Sequence, residues 1–515
     1  MSILSATNIT YSIGDRTILK DATFRLLKGE HIGLVGANGE GKSTFINILL
    51  GHLTVDSGKV EWAKHTKVGY LDQFSKLEAG KTIRDILKTA FDDFYKMEQE
   101  INDGYMKMAE ITDENEMNAL LEEIGEMQAI LDNSGFYLID SKIEETARGL
   151  GLFEIGLDKD VTELSGGQRA KVLLTKLLLE NPQILILDEP TNFLDVNHIN
   201  WLKNYLLNFE NAFILISHDT HFMNAVTNVI YAMDNTKLTR YTGNYDSFIE
   251  AFNMKKKQID DAYNAQQKEI AKMEDFIARN KARVATRGMA NSRQKQLDKM
   301  VLIDKGVEHK KANFVFRFSH PTGTLAFETN DLVIGYDQPL TKPINLAIKK
   351  GEKIAIVGIN GVGKSTLVKT LLGVIKPYSG KAIMSPTVDL GYFEQEVKSD
   401  LITPFNYILD EFRTLNNGEI FAALSNSGVK RDLVDNPMMT LSGGEQAKVR
   451  MCKLTIKETN VIVLDEPTNH LDVASKESLH DAIKNYPGNI LLVCHEPEFY
   501  QDLVDRVINV EDYRL

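Results

Sequence analysis

The chain has 515 residues, 43% hydrophobic and 25% charged, with a net charge of −13. That length exceeds one hydrophobic core, so two or more domains are expected, and the lack of Gly/Ser- or Pro-rich tracts excludes a disordered or fibrous chain. No apolar run approaches the roughly 20 residues that span a bilayer, and Met1 to Arg16 shows no secretion signal, so a cytoplasmic protein is expected. Cys452 and Cys494, the only cysteines, lack metal-ligand spacing and read as small core residues in a reducing compartment.

A strand is predicted from Glu30 to Val35 and a helix from Ser43 to Leu50, with GANGEGKST (Gly36 to Thr44) between them. Strand, glycine loop and helix in this order form a phosphate cradle. Glycines let backbone N–H groups approach the oxygens, Lys42 neutralises them and Ser43 ligates Mg²⁺. Gln73, after a short strand, can offer a neutral oxygen to the metal or to water. Two helices are then predicted. Ile83, Leu87, Phe91, Phe94, Ile101, Tyr105 and Met108 share the stripe of the first. Thr112-Asp113 can cap the second, which carries Met117, Leu120, Leu121, Ile124, Met127 and Leu131. Phe91 to Asp132 holds 13 acidic and two basic residues, most of the chain's net charge. Such a hairpin is either a solvated face or an element that wants a partner.

The segment LSGGQ (Leu164 to Gln168) opens a helix predicted to Leu179, so Ser165, Gly166 and Gly167 can offer N–H groups to an anion. The apolar strand Ile184 to Leu187 ends in Asp188 and Glu189, two carboxylates at the sheet edge where α/β folds bind ligands. Asp188 suits Mg²⁺, and Glu189 suits a general base that orients and deprotonates an attacking water. His218 follows the strand Phe213 to Ile216 and can reach a γ-phosphate.

Residues 243 to 320 read as a second helical hairpin, with Ile259, Tyr263, Ile270, Met273 and Ile277 on one face and a return through Leu297, Met300 and Ile303. Its turn, near Thr286 to Asn291, is short. Residues 278 to 295 contain Arg279, Lys281, Arg283, Arg287, Arg293 and Lys295 and no acid, an electrostatic footprint for RNA phosphates.

The chain then repeats itself: GINGVGKST (Gly358 to Thr366), Gln395, LSGGE (Leu441 to Glu445), Asp465-Glu466 and His495 follow in the same order. Lys42 and Gln73 precede their counterparts by 322 positions, whereas Ser165, Glu189 and His218 precede theirs by 277, which places about 45 extra residues between Gln73 and Ser165. An α/β fold with two tandem copies is expected: 1–242 with a helical arm at about 84–135, a linker at 243–320 with a basic tip at 278–295, and 321–515.

Phosphate loop, Gln, LSGGQ, Asp-Glu pair, a following Leu-Asp and His together resemble the motif set of ATP-binding-cassette proteins in both copies. In that family two cassettes pack head to tail, so each signature loop caps ATP held by the other cassette. The resemblance implies two ATP with Mg²⁺ in composite sites. Lys42, Asp188 and Glu189 would work with Ser442, Gly443, Gly444 and Glu445, and Lys364, Asp465 and Glu466 with Ser165, Gly166, Gly167 and Gln168. It extends ATP contact to Gly36, Asn38, Gly39, Gly41, Ser43 and Thr44, to Gly358, Asn360, Gly361, Gly363, Ser365 and Thr366, and to the loop acids Asp195 and Asp472. Tyr11 and Tyr336 match the aromatic that stacks on adenine. The metal residues implied are Ser43, Gln73 and Asp188, with Ser365, Gln395 and Asp465. Glu445 departs from the usual Gln, and Cys494 replaces the Ser that precedes His218; neither change removes a catalytic group.

Tandem cassettes, an insertion in the first and a basic-tipped helical linker resemble the ABC-F proteins. Membership implies an ATP hydrolase that works as a monomer and binds the ribosome near the tRNA exit site. Its linker would meet peptidyl-tRNA and rRNA, its arm a ribosomal protein at the L1-stalk side, and hydrolysis would release it. The short turn favours a general translation factor over an antibiotic-resistance protein. The transporter alternative needs a separate membrane chain at the groove near the Gln loops, which the arm would crowd. A DNA-repair or chromatin ATPase would carry a far longer coiled coil or zinc-binding cysteines.

Overall fold

A computed structural model describes residues 2–14, 16–71, 77–108, 111, 113–280, 287–302, 312–394, 401–469 and 471–515. Each copy is built on a parallel sheet whose central strands are buried on both faces, which is why they read as unbroken apolar runs. In the first copy the strand order is Val68–Tyr70, Ile184–Asp188, Ala212–Ile216, His31–Val35, Val229–Asp234, with the antiparallel Lys237–Thr242 added at the edge. The second copy repeats the order with Leu390–Phe393, Val461–Asp465, Asn489–Val493, Lys353–Val357 and Arg506–Asn509. A three-stranded antiparallel sheet accompanies each copy, Arg16–Leu27, Ser2–Ile13 and Ser57–Trp62 in the first, Ala347–Lys349, Leu325–Val333 and Ser379–Met384 in the second. Cys452 and Cys494 are buried free thiols.

This topology sets the phosphate-loop strand between the strand that ends at the histidine and the last strand of the parallel set. The two carboxylate strands lie one further away, so loop, Asp-Glu pair and histidine share one sheet edge in each copy.

The arm differs in detail from the pattern read above. Ile83–Lys88 is a separate helix, held by a capping box between Thr82 and Asp85. Its counterpart is Pro404–Glu411, capped by Thr403, so it belongs to the shared fold and the extra residues follow it. A tight turn at Thr89–Phe91 buries Phe91 and leads into Asp92–Met108, which packs on Glu114–Ser134. Asp113 caps that second helix by accepting from the Asn115 and Glu116 N–H groups. Ile101, Ile124 and Leu131 are buried between the helices, whereas Tyr105 and Leu121, assigned to the stripes by spacing, face solvent. The return helix therefore covers the apolar stripe.

The linker is a 36-residue helix, Tyr245–Asn280, about 54 Å long at helical rise, with a return helix Arg287–Asp298. Ile277 and Ala290 are buried between them, while Ile259 is exposed. Residues 287–291, read as part of the turn, are helical, and Ile303 lies outside the described residues. Beyond the hairpin, Asn313 N–H donates to Asn426 O at 2.8 Å and Phe314 N–H to Ser478 Oγ at 2.8 Å, strapping the chain to the second copy.

Gly104 permits the closest approach in the arm: a Cβ there would lie 2.8 Å from Ile124 Cδ1. Gly104→Leu should loosen the arm by about 1–3 kcal/mol, the usual cost of overpacking. Hydrogen exchange should then accelerate across Asp92–Met108 and Glu114–Ser134 while the central sheets are unchanged.

Candidate functional site

In both phosphate loops the backbone enters the left-handed region where glycine is needed, at Gly39 (φ 75°) and Gly41 (φ 99°), and at Gly361 (φ 83°) and Gly363 (φ 102°). Lys42 Nζ donates to the carbonyls of Gly36 (2.8 Å) and Ala37 (3.2 Å), and Lys364 Nζ to those of Gly358 and Ile359 (both 3.0 Å). Each lysine thus arches over its own loop, and burial lowers the pKa of both ammonium groups. Ser43 Oγ donates to Asp188 Oδ2 at 2.9 Å and Ser365 Oγ to Asp465 Oδ1 at 3.2 Å. Burial raises the pKa of Asp188 and pushes that of Asp465 up to about 6. Hard oxygen donors beside a phosphate loop, in a setting that penalises uncompensated negative charge, fit Mg²⁺.

Glu189 and Glu466 both sit at φ 49°, a left-handed conformation rare outside glycine. Their N–H groups donate to Ile216 O (2.9 Å) and Val493 O (3.0 Å), which turns each carboxylate toward the histidine after that neighbouring strand. The outcomes differ. His495 Nε2 is 3.0 Å from Glu466 Oε1, and Asn469 donates to Oε2 at 2.8 Å. Burial pushes the Glu466 pKa upward, but these hydrogen bonds, the charge of His495 and Lys364 outweigh it and the net shift is downward. In the first copy His218 Nε2 turns to Asn38 Oδ1 at 3.0 Å and lies 3.5 Å from Glu189 Oε1. Burial, then Asp188, pushes Glu189 up to about 7.

Ser165 and Ser442 cap the helices Gly166–Glu180 and Gly443–Ile456, so Gly166 and Gly167, and Gly443 and Gly444, lie in the first turns; the first three are exposed and Gly444 is buried. Gln168 Oε1 accepts from Ser165 N–H at 3.0 Å, and Glu445 Oε2 accepts from Ser442 N–H at 3.0 Å. A carboxylate can fill this role as well as an amide, which accounts for Glu in the second signature.

The copies face each other. A cavity of about 920 Å³ is lined by Gly36, Asn38, Lys42 and His218 of the first and by Lys430, Glu445, Lys448 and Asp472 of the second. A Cβ on Gly39 would strike the Glu445 carboxylate. At the opposite pair, Asn360 Nδ2 donates to Phe193 O at 3.4 Å. Asp472 acts on Lys42 across the interface, and Asp195 on Lys364. Asp195 and Asp472 cap the helices Val196–Leu207 and Val473–Asn485.

Thr44 and Thr366 follow Ser43 and Ser365 in the first turns of their helices, and Tyr336 Oη lies 3.4 Å from Thr366 Oγ1, beside the second loop. Tyr11 packs against the small-sheet core, opposite Leu19. Gln73 and Gln395 lie outside the described residues, as do Lys281 and Arg283. Arg279 is paired with Asp275 at 2.8 Å, an acid one turn outside the segment read as acid-free. The Arg293 guanidinium lies over Phe276, 4.3 Å from the ring centre, Lys295 is exposed, and Arg287 opens the return helix.

A family model described as "ABC transporter" matches residues 19–192 and 341–469, and a second with that description, ABC_tran_Xtn, matches 231–316. ABC transporter F family member 2 of Arabidopsis thaliana is 36% identical over 98% of this chain and 74% of its own length. The chain belongs to the ABC-F family. Its two copies are ATP-binding cassettes. An uncharacterized ABC transporter ATP-binding protein of Bacillus subtilis (strain 168), YfmM, is 55% identical over 100% of this chain and 99% of that relative. The solved structure titled RNase-L Inhibitor has a TM-score of 0.59 at 20% identity, covering 98% of this chain and 87% of that one, and shares the tandem fold.

Several polar residues of this ABC-F site escape motif reading. Arg16 donates to Gly39 O at 2.6 Å and lies 3.7 Å from Asp432 of the other cassette. Glu40 accepts from Ala37 N–H at 2.9 Å and is pushed up to about 7, first by burial. In the second cassette Glu511, distant in sequence, accepts from Ile359 N–H at 2.8 Å instead. Lys171 and Lys448 reach toward the loop acids from the signature helices, and their 277-residue spacing is the one signal that marks them as a pair.

Asp472 is held at about 2, against 3.8 ordinarily: burial would raise it, but Lys448 and the Ser475 hydrogen bonds win. A folded-state pKa below the unfolded one contributes stability above the unfolded value that is lost as pH falls toward the folded one. Urea unfolding should therefore show on the order of 2 kcal/mol of stability lost between about pH 5 and pH 2 in the native protein that is missing in Asp472→Asn.

Proposed function

We propose that this ABC-F protein is an ATP-dependent, cytoplasmic, ribosome-binding translation factor. It closes its cassettes on two ATP and is released when they are hydrolysed. The observation that carries the ATPase part is the facing of each phosphate loop by elements of the opposite cassette, with an Asp-Glu pair and a histidine on the same sheet edge. Among the described residues no helix is long and apolar enough to cross a membrane, in keeping with a chain that acts without a membrane domain of its own.

In this reading Lys42 and Lys364 leave their loop carbonyls for the phosphates. Ser43 with Asp188, and Ser365 with Asp465, would hold Mg²⁺, whose charge neutralises the phosphate oxygens; Gln73 and Gln395 are assigned to the same shells. Glu189 and Glu466 accept the proton of the attacking water. A carboxylate pushed to about 7 by burial is well matched to that task near neutral pH. His218 and His495 steady the carboxylate and reach the γ-phosphate. The Ser and Gly N–H groups of the opposite signature close over it.

The ribosome part rests on the family resemblance and on the linker. A helix about 54 Å long carries the chain to a turn flanked by arginines and lysines, suited to peptidyl-tRNA and rRNA. The acidic arm suits a basic ribosomal protein at the L1-stalk side.

Replacing both Glu189 and Glu466 with Gln should leave ATP binding intact and slow turnover by at least ~10²-fold. That variant should pellet with ribosomes only when ATP is present; undiminished turnover, or protein left in the supernatant, would sink the corresponding half of the reading. Changing Arg283, Arg287 and Lys295 to Glu, which spares Arg293 on its Phe276 ring, should weaken ribosome binding and flatten its salt dependence. Equal affinity across salt would show a tip that is merely solvated.

A further inference from the structure

The loop acids are not free to move apart from the signature helices. Lys448, on the helix that Ser442 caps, donates to Asp472 Oδ2 at 2.6 Å, and both residues are less than a tenth exposed. In the first cassette the same position is Lys171, whose Nζ lies 3.3 Å from His198 Nδ1, and that nitrogen is 2.8 Å from Asp195 Oδ1. His198 also fills space that a Cβ on Gly151 would occupy. Where His198 stands, the second cassette has Ser475, whose N–H donates to Asp472 Oδ1 at 2.9 Å, and the lysine closes on the acid directly.

Taking two charges out of water costs several kcal/mol per ion and is repaid only in good geometry, so a buried pair is a poor source of stability. A lysine at the same repeat position in both cassettes, turned each time to the segment that starts at the loop acid, calls for another role. The surroundings supply one. Lys448 and Asp472 line the cavity that holds Lys42 and Asn38 of the first cassette, and Asp195 acts on Lys364 of the second. Each lysine therefore joins the two elements that its cassette extends toward the other cassette's phosphate loop.

We propose that Lys448 and Lys171 are positioning residues, Lys448 binding its signature helix directly to the loop acid Asp472 and Lys171 binding its signature helix to His198 on the helix that Asp195 caps, so that signature and loop acid reach the nucleotide in the opposite loop as one rigid jaw. This rests on the composite-site ATPase reading above. Without the tie, ATP remains held by its own phosphate loop, while the opposite signature N–H groups and loop acid arrive out of register. Misplacement of about 1 Å at a reacting centre can cost ~10²-fold.

The test is a double-mutant cycle on the full chain with Lys448→Met, Asp472→Asn and the pair, reading steady-state ATP turnover, nucleotide affinity and Tm. Each single variant and the pair should lose kcat by a similar factor, up to ~100-fold, with KM for ATP changing far less than kcat. Lys171→Met should do the same through the second phosphate loop. If Lys448→Met fails to fold because Asp472 is left buried and uncompensated, the pair variant, which removes both charges, carries the reading alone. Losses that multiply would show that Lys448 acts independently of Asp472, and full kcat in the pair variant would show the contact to be packing; either overturns the proposal. Wild-type protein without ATP turnover would instead overturn the ATPase reading.

Discussion

In each cassette two adjacent carboxylates end a buried strand beside a lysine, half-buried at Lys42 and buried at Lys364, and much of the structure answers that electrostatic problem. Asp188 and Glu189, or Asp465 and Glu466, cannot both keep their charge in such a place without help. Their pKa values record the strain: Asp188 and Glu189 are raised, Asp465 is raised, and only Glu466, hydrogen-bonded to His495 and Asn469, is lowered. The left-handed turn at each Glu separates the two carboxylates, one toward the serine of the phosphate loop and the other toward the histidine of the next strand. In the function proposed, a cation with a phosphate chain would complete what the protein leaves unbalanced.

The two cassettes solve the problem unequally. His495 lies on Glu466 with Asn469 on its other oxygen, while His218 is drawn to Asn38 in the phosphate loop, and this separates two carboxylates that share the run LDEPTN. The loop N–H groups differ as well: Glu40 serves Ala37 from within the first loop, whereas Glu511 serves Ile359 from the C-terminal end of the chain. At the interface Arg16 bridges the first phosphate loop toward Asp432. The repeat preserved the chemistry and let the supporting contacts drift.

What could be read in advance follows from this division. Phosphate loops, signature caps and Asp-Glu strands are each made within a dozen contiguous residues, so strand, turn and helix preferences expose them directly. The contacts of Arg16, Lys171, Lys448 and Glu511 depend on how distant segments pack, and no local pattern announces them. Spacing also misjudged edges. Tyr105 keeps helical register in the arm yet faces solvent, because its return helix covers only one narrow strip of the surface. Arg279 belongs to a stretch with no acid of its own but pairs with Asp275 one helical turn back, and residues 287–291 are helix rather than turn. The helix Ile83–Lys88 joined the arm in the periodic pattern but belongs to the common fold, as its partner Pro404–Glu411 shows.

The central claim is that each nucleotide is held between the cassettes. It is tested most directly by an experimental structure of the protein with ATP and Mg²⁺, with Glu189 and Glu466 both changed to Gln to arrest turnover. The account predicts two ATP molecules, one touching Lys42 together with Ser442 and Gly444, the other touching Lys364 together with Ser165 and Gly167. ATP bound by the phosphate loop of one cassette, with the opposite signature turned away, would contradict it.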